Sequence, residues 1–314
     1  MNYLKDYREG EKFVGTYLCK QKQILKTKAG KTYYSLTLQD KTGTADGKIW
    51  ELNNGIANFE PMDYIHCEGM VTSFQGNLQM NISRVRISDE GEYDPADYVP
   101  CTNKDVGEMF SRILKYVASV HNKYLRKILE MYFVENKEFV DAFKKHSAAK
   151  SVHHGFMGGL LEHTLSVTDM CQYFAEHYPM IHRDLLITAA LFHDMGKIQE
   201  ISDFPMNDYT DDGQLLGHIY IGARCMENAA AQIPNFPPKL KNELVHCILA
   251  HHGKMEFGSP KVPAIMEAMA LHMADNADAK LQTLTEVFTQ AGDNMGWLGF
   301  NRMFESNLRK TSEE

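Results

Sequence analysis

Leu185-Leu186-Ile187-Thr188-Ala189-Ala190-Leu191-Phe192-His193-Asp194-Met195-Gly196-Lys197 is the stretch on which the reading of this chain turns. Residues 185–192 carry no charge, suit a buried helix, and run straight into an imidazole beside a carboxylate. A His-Asp pair alone says little, because most histidines are satisfied core or surface residues. Near a helix terminus, however, the two groups can converge on one cation. What matters is what the rest of the chain supplies.

Working outward, candidate ligands recur on neighbouring helical stretches. His163 lies within Leu160-Leu161-Glu162-His163-Thr164-Leu165. Downstream come His218 after Gly217, His251-His252 before Gly253, and Asp275 at the end of Leu271-His272-Met273-Ala274-Asp275. Each brings a nitrogen or oxygen from a different helix, which is how helical bundles build metal sites in their cores. The chain holds 14 histidines, most of them in its second half. Met109, Ile113, Val117 and Val120 recur at helical steps, as do Leu125, Ile128, Leu129 and Tyr132. Further helices fit 159–177, 183–195, 216–232, 238–251 and 263–291. Residues 105–314 are therefore predicted to form an all-α bundle.

The first part of the chain has a different period. Thr32-Tyr33-Tyr34-Ser35-Leu36-Thr37-Leu38 is aromatic and β-branched, and similar runs cover 45–50, 64–73 and 78–87. Turn signals at Gly43, Gly55 and Gly76-Asn77 separate them. Five or so short strands predict a small barrel or sandwich over 1–88. Residues 89–104, with five acids in 89–97 plus Pro95 and Pro100, read as an acidic linker. The fold class expected is multidomain: a small β-barrel followed by a helical bundle.

A length of 314 residues suits two domains, and 44% hydrophobic with 24% charged residues suits a globular chain. No apolar run approaches the ~20 residues of a membrane span, and the charged N-terminus has no signal-peptide pattern. Six scattered cysteines without a CxxC pair suggest reduced thiols in a cytoplasmic protein. The net charge of −8 argues against coating nucleic acid by bulk charge. Between Lys12 and Lys48, however, eight lysines face only Asp40 and Asp46. Lys26, Lys28, Lys31 and Lys48, interleaved with Tyr33, Tyr34 and Trp50, suit a groove for single-stranded nucleic acid. Phe74, Gln75 and Asn77 at a hairpin tip could touch the same strand. A solvated lysine face with Trp50 in the barrel core is the alternative.

The order His163, His193-Asp194, His218, His251, Asp275 resembles the HD-domain metal phosphohydrolases over about residues 150–290. The surrounding phrases are more specific: His153-His154-Gly155-Phe156-Met157-Gly158-Gly159, His193-Asp194-Met195-Gly196-Lys197, Glu256-Phe257-Gly258-Ser259-Pro260 and Asp275-Asn276-Ala277-Asp278-Ala279-Lys280. These resemble the YhaM-type 3′→5′ exoribonucleases, which join an N-terminal OB-fold to a C-terminal HD domain. Leu38-Gln39-Asp40-Lys41-Thr42-Gly43 likewise resembles OB-folds of the anticodon-binding type. Phosphodiesterases of the HD-GYP type share the metal order, but this chain has no Gly-Tyr-Pro element. The resemblance implies hydrolysis of single-stranded RNA, or DNA, from the 3′ end with release of nucleoside monophosphates. It also implies a phosphate-binding role for Lys197 beside Asp194; a lysine facing a helix dipole is the plainer reading.

The chemistry agrees in class. Phosphodiester hydrolysis calls for a cation that neutralises developing charge and lowers the pKa of the attacking water. Imidazole and carboxylate without thiolate suit Mn²⁺, Fe²⁺, Co²⁺ or Zn²⁺ better than Ca²⁺ or an Fe–S centre; Mn²⁺ is the metal expected, with Fe²⁺, Co²⁺, Mg²⁺ or Zn²⁺ as alternatives and one or two ions. His163, His193, Asp194 and Asp275 would hold one ion; His218 and His251 could add a second, with Asp194 bridging. Glu162 and His252 each follow or precede a ligand by one residue and should face about 100° away. Together with His154 they are candidates for an outer shell or for phosphate. Asp278 reads as a helix salt bridge or polar packing. His121, His146, His177 and His182 read as surface residues. Trp297, Phe300, Arg302 and Phe304 could cap the helical core or contact substrate. No membrane partner is expected, and an oligomer is left open. A hydrolase of small nucleotides or cyclic dinucleotides with a regulatory OB domain, and a catalytically dead nucleic-acid-binding protein, are the competing readings.

Overall fold

A computed structural model describes residues 3–74, 77–150 and 154–312. Gln75, Gly76 and His153 lie outside the described residues. The chain divides into two compact units: Met1–Cys101 with Phe204–Met206, and Thr102–Asp203 with Asn207–Glu314.

In the first unit, β1 (Lys12–Lys26), β2 (Thr32–Asp40), β3 (Gly43–Ile49), β4 (Tyr64–Phe74) and β5 (Asn77–Ile87) form a closed barrel in the order β1-β2-β3-β5-β4. All neighbours are antiparallel except β3 and β5. That connectivity is an OB-fold. β1 serves both edges: Lys12–Leu18 pairs with β4 and Leu18–Lys26 with β2, with a bulge between Cys19 and Gln21 where the strand turns the corner. Alternation sends Leu36, Leu38, Ile49, Val71, Met80 and Ile82 inward, and leaves Tyr33, Lys48 and Trp50 on the outer face.

The acidic segment after β5 is packed, not free. Tyr93 stacks on Tyr64 with centroids 4.0 Å apart, Tyr98 meets Tyr64 edge-on at 5.3 Å, and Arg86 pairs with Glu92 at 2.6 Å. The barrel unit therefore runs to Cys101, beyond the boundary at 88 that acids and prolines suggested. The tyrosines supply the apolar contact that the charge count hides.

The second unit holds α1 (Val106–Ser119), α2 (Lys123–Phe133), α3 (Lys137–Lys145), α4 (Gly159–His177), α5 (Arg183–Phe192), α6 (Lys197–Glu200), α7 (Asp211–Ala231), α8 (Pro238–Ala250) and α9 (Met266–Gln290). Asp105, Asn122, Asn136 and Thr210 cap α1, α2, α3 and α7 by accepting backbone N–H groups of the first turn. α5 is buried on every side from Leu185 to Phe192 because α4, α8 and α9 surround it. It is the axis on which the site is built.

The all-α reading needs one amendment: β6 (Trp297–Asn301) and β7 (Ser306–Arg309) form a hairpin. Trp297 and Phe300 stay exposed on it and do not cap the core. All six cysteines are unpaired. Among the described residues, no helix is long and apolar enough to cross a membrane.

Candidate metal centre

The site forms where helix ends meet. α5 stops at Phe192, so His193 and Asp194 sit in the turn that leads into α6. His163 comes from α4, His218 from α7, Asp275 from α9, and His251 from the C-cap of α8. Their ligand atoms fall into two groups that share one carboxylate.

In the first group, His163 Nε2 lies 3.2 Å from His193 Nε2, 3.2 Å from Asp275 Oδ1 and 3.3 Å from Asp194 Oδ2. His193 Nε2 is 3.4 Å from Asp194 Oδ2 and 3.9 Å from Asp275 Oδ1. In the second, Asp194 Oδ1 lies 3.6 Å from both His218 Nε2 and His251 Nε2.

The protons of these rings are spoken for elsewhere. His193 Nδ1–H donates to Ala190 O at 2.7 Å and His251 Nδ1–H to Ile248 O at 2.6 Å. His163 Nδ1–H donates to Asp278 Oδ2 at 2.7 Å and His218 Nδ1–H to Glu200 Oε1 at 3.0 Å. In that tautomer all four Nε2 atoms carry lone pairs, and they face carboxylate oxygens that also only accept.

Asp194 Oδ1, His218 Nε2 and His251 Nε2 are three of the four buried side-chain polar atoms without a hydrogen-bond partner among the described residues. Acceptors crowded this way call for a cation. Two ligand bonds of about 2.1 Å at a tetrahedral angle span about 3.4 Å, which matches these separations. The residues present therefore fit a divalent ion in each group.

Charge is arranged accordingly. Burial opposes ionisation of Asp194, yet the Lys197 ammonium and His193 beside it hold the carboxyl well below the usual range. Asp275, partly buried, is held below its usual range by His163 although burial opposes its ionisation. Lys197 Nζ reaches Asp194 Oδ2 at 2.6 Å.

The remaining candidates scatter. Glu162 turns from the centre to accept from Thr102 Oγ1 at 2.5 Å and pair with Lys104 at 2.9 Å. His154 Nε2–H donates to Asp278 Oδ2 at 2.9 Å, behind His163. His252 corrects an expectation. It joins His218 and His251, all three offering ligand atoms within 4.8 Å of one another, with its ring held through Nδ1 on Phe257 O at 2.8 Å. His146, read as surface, is 3% exposed and contacts Ser147 O and Ile201 O. Asp278, read as a salt bridge or polar packing, instead holds His163, His154 and Ser166. Glu200 was not anticipated at all.

Residues 160–280 match the family model of the HD domain. The chain is 32% identical over 289 residues to the 3′-5′ exoribonuclease YhaM of Shouchella clausii (strain KSM-K16), covering 90% of this chain and 88% of the relative. It is 32% identical over 262 residues to the 3′-5′ exoribonuclease YhaM of Bacillus subtilis (strain 168), covering 81% of each. The chain belongs to the YhaM exoribonuclease family. Among solved structures it is similar to the second OB-fold domain of replication protein A from Methanococcus maripaludis, at 20% identity over 29% of this chain and 98% of that one, with a TM-score of 0.24.

Within this YhaM-family chain, the barrel residues singled out from sequence divide into two sets. Tyr33 and Trp50 stack at 4.6 Å, and Trp50, 40% exposed, donates its indole N–H to Asn81 Oδ1 at 3.0 Å. Asn81 in turn donates to Thr72 Oγ1 at 3.1 Å. Trp50 is thus on the outer face, held in place, and not in the barrel core. Lys26 and Lys28 are exposed at the β1–β2 turn, and Phe74 is exposed at the end of β4. Lys31 pairs with Glu51 at 3.2 Å, and Lys48 with Asp46 at 2.6 Å. Asn81 and Thr72 were missed because their role comes from register across β4 and β5, not from spacing.

Proposed function

We propose that this chain is a metal-dependent 3′→5′ exoribonuclease that hydrolyses single-stranded RNA to nucleoside monophosphates and accepts single-stranded DNA. The observation that carries the chemistry is the convergence of four imidazole nitrogens, acceptors in the Nδ1–H tautomer, with the oxygens of Asp194 and Asp275, where His163, His193, Asp194 and His251 are buried. His163, His193, Asp194 and Asp275 would hold one divalent ion, and His218, His251 and the second oxygen of Asp194 another, with Mn²⁺ the favoured metal.

Such ions supply positive charge at the scissile phosphate and make water a better nucleophile at neutral pH. Asp194, with one oxygen toward each group, would help to hold both. Lys197 Nζ, beside Asp194 and 13% exposed, places a further positive charge where negative charge grows on a phosphoryl oxygen. Burial works against that charge, but Asp194 holds the ammonium above its usual pKa, so it stays protonated. The Tyr33–Trp50 stack and the exposed Lys26 and Lys28 offer a stacking and phosphate-tracking face to a single strand.

Oligonucleotides labelled at the 3′ or the 5′ end, incubated with Mn²⁺ or with chelator, test the reading. Release of labelled mononucleotide from the 3′ end at once, and a ladder from the 5′ label, both requiring metal, are expected. Inactivity under all conditions, or faster turnover of a cyclic dinucleotide or a deoxynucleoside triphosphate, would sink it.

A further inference from the structure

The four imidazoles are not held alike. In each group one ring is fixed by its own helix end: His193 donates to Ala190 O and His251 to Ile248 O, each three residues back. The other ring is fixed by a carboxylate from a different element. Asp278 on α9 accepts from His163, and Glu200 at the end of α6 accepts from His218. A neutral carbonyl orients a ring; an anionic carboxylate also draws on the Nδ1 proton and makes the opposite nitrogen a stronger donor to a metal.

Both carboxylates are themselves locked. Asp278, 7% exposed, also accepts from His154 Nε2 at 2.9 Å and from the Ser166 hydroxyl. Glu200 Oε1 also accepts the backbone N–H of His218 at 3.0 Å. That N–H is free because Gly217, at φ 71° and ψ 152°, interrupts α7 just before it, in a region essentially closed to other residues. Neither carboxylate belongs to the converging acceptors. Although His154, His163 and Asp278 form a compact cluster, its 2.7 and 2.9 Å separations are hydrogen bonds already made.

We propose that Asp278 and Glu200 are positioning residues that control the two ion positions separately, Asp278 through His163 and Glu200 through His218. The proposal rests on the two-ion reading above. It makes a prediction that general structural support does not: each carboxylate governs one ion and leaves the other alone.

Mn²⁺ binding, followed by the electron paramagnetic resonance signal of free Mn²⁺ in the full-length protein, reads this without turnover. Wild type should take up two ions. Asp278→Asn and Glu200→Gln, which keep shape, should each weaken one ion by about 10–100-fold and leave the other within about twofold. Asp275→Ala identifies which ion is affected. Combined with Asp278→Asn it should spare the second ion; combined with Glu200→Gln it should weaken both. Ser166→Ala, which removes a hydroxyl that donates to Asp278, should weaken the same ion as Asp278→Asn by a smaller factor, and serves where the Asn variant does not fold. Melting in chelator establishes that each variant is folded before its ion binding is read. If wild type binds two ions and either carboxylate variant weakens both equally or neither, the assignment of control is overturned and the two-ion reading stands. If wild type binds one ion, both fall together.

Discussion

Lys197 Nζ lies 2.6 Å from Asp194 Oδ2, the same oxygen that stands 3.3 Å from His163 Nε2 and 3.4 Å from His193 Nε2. A cation held there would share one carboxylate oxygen with the lysine. Lys197→Ala is expected to lower kcat by roughly 10²–10³-fold, the usual cost of removing one transition-state charge partner. Its ion affinity should be equal or tighter, since a competitor for Oδ2 is gone. Single-turnover rates and Mn²⁺ titration on one preparation check both halves; a weaker ion would make Lys197 a support of the metal site.

Asp194 is the residue with one oxygen in each group. Asp194→Ala should remove both ions and abolish turnover while RNA binding stays within about threefold of wild type. Inductively coupled plasma analysis and fluorescence anisotropy would separate those outcomes.

On the barrel face, Trp50→Ala should weaken binding of a single strand by about 1–3 kcal/mol, the usual worth of one stacked base. Replacing Lys26, Lys28 and Lys31 together should flatten the dependence of log K on log[salt] by up to roughly two units, at about 0.7 per lost phosphate contact. Neither change should alter metal content. A triple variant with the wild-type slope would remove these lysines from the phosphate path.

Gly196 is a steric requirement. A Cβ there would sit 2.1 Å from the carbonyl oxygen of His218, so α6 and α7 would have to move apart. Gly196→Ala is expected to destabilise the fold by about 2–4 kcal/mol, a core-clash magnitude. It should also displace His218 and with it one ion. Urea melts and metal content test this against a silent surface change.

Chelation should lower the melting temperature, because ions held by this acceptor cluster would bind only the folded chain. At an ion concentration 100 times Kd, one site contributes about 2.7 kcal/mol. Scanning calorimetry with and without EDTA checks it, and an unchanged transition would mean that no ion is held.

Much of the centre was legible because its chemistry is written in residue type. An apolar helix running into His193-Asp194, with further ligands on four other elements, permits few interpretations. Its outer partners were harder to see. Asp278 is one turn after Asp275, and hence on the same face of α9, but nearby Lys280 offered an ordinary salt bridge. Glu200 meets His218 only because the backbone breaks at Gly217, a local geometry that residue spacing does not encode. His252 follows His251 and would face away on an ideal helix, but its ring is held by Phe257 O, a partner five residues on that helical angles do not reveal. In the barrel, four strands were readable from alternation, whereas the tyrosines that pin the acidic segment were masked by its charge.

The ligands span about 110 residues of chain, from His163 on α4 to Asp275 on α9. During synthesis the amino-terminal part of the bundle emerges with an unfinished set of acceptors, and Asp275, which faces His163 and His193, arrives last, on the final helix of the described residues. An ion bound with full affinity is thus a report that the bundle has closed.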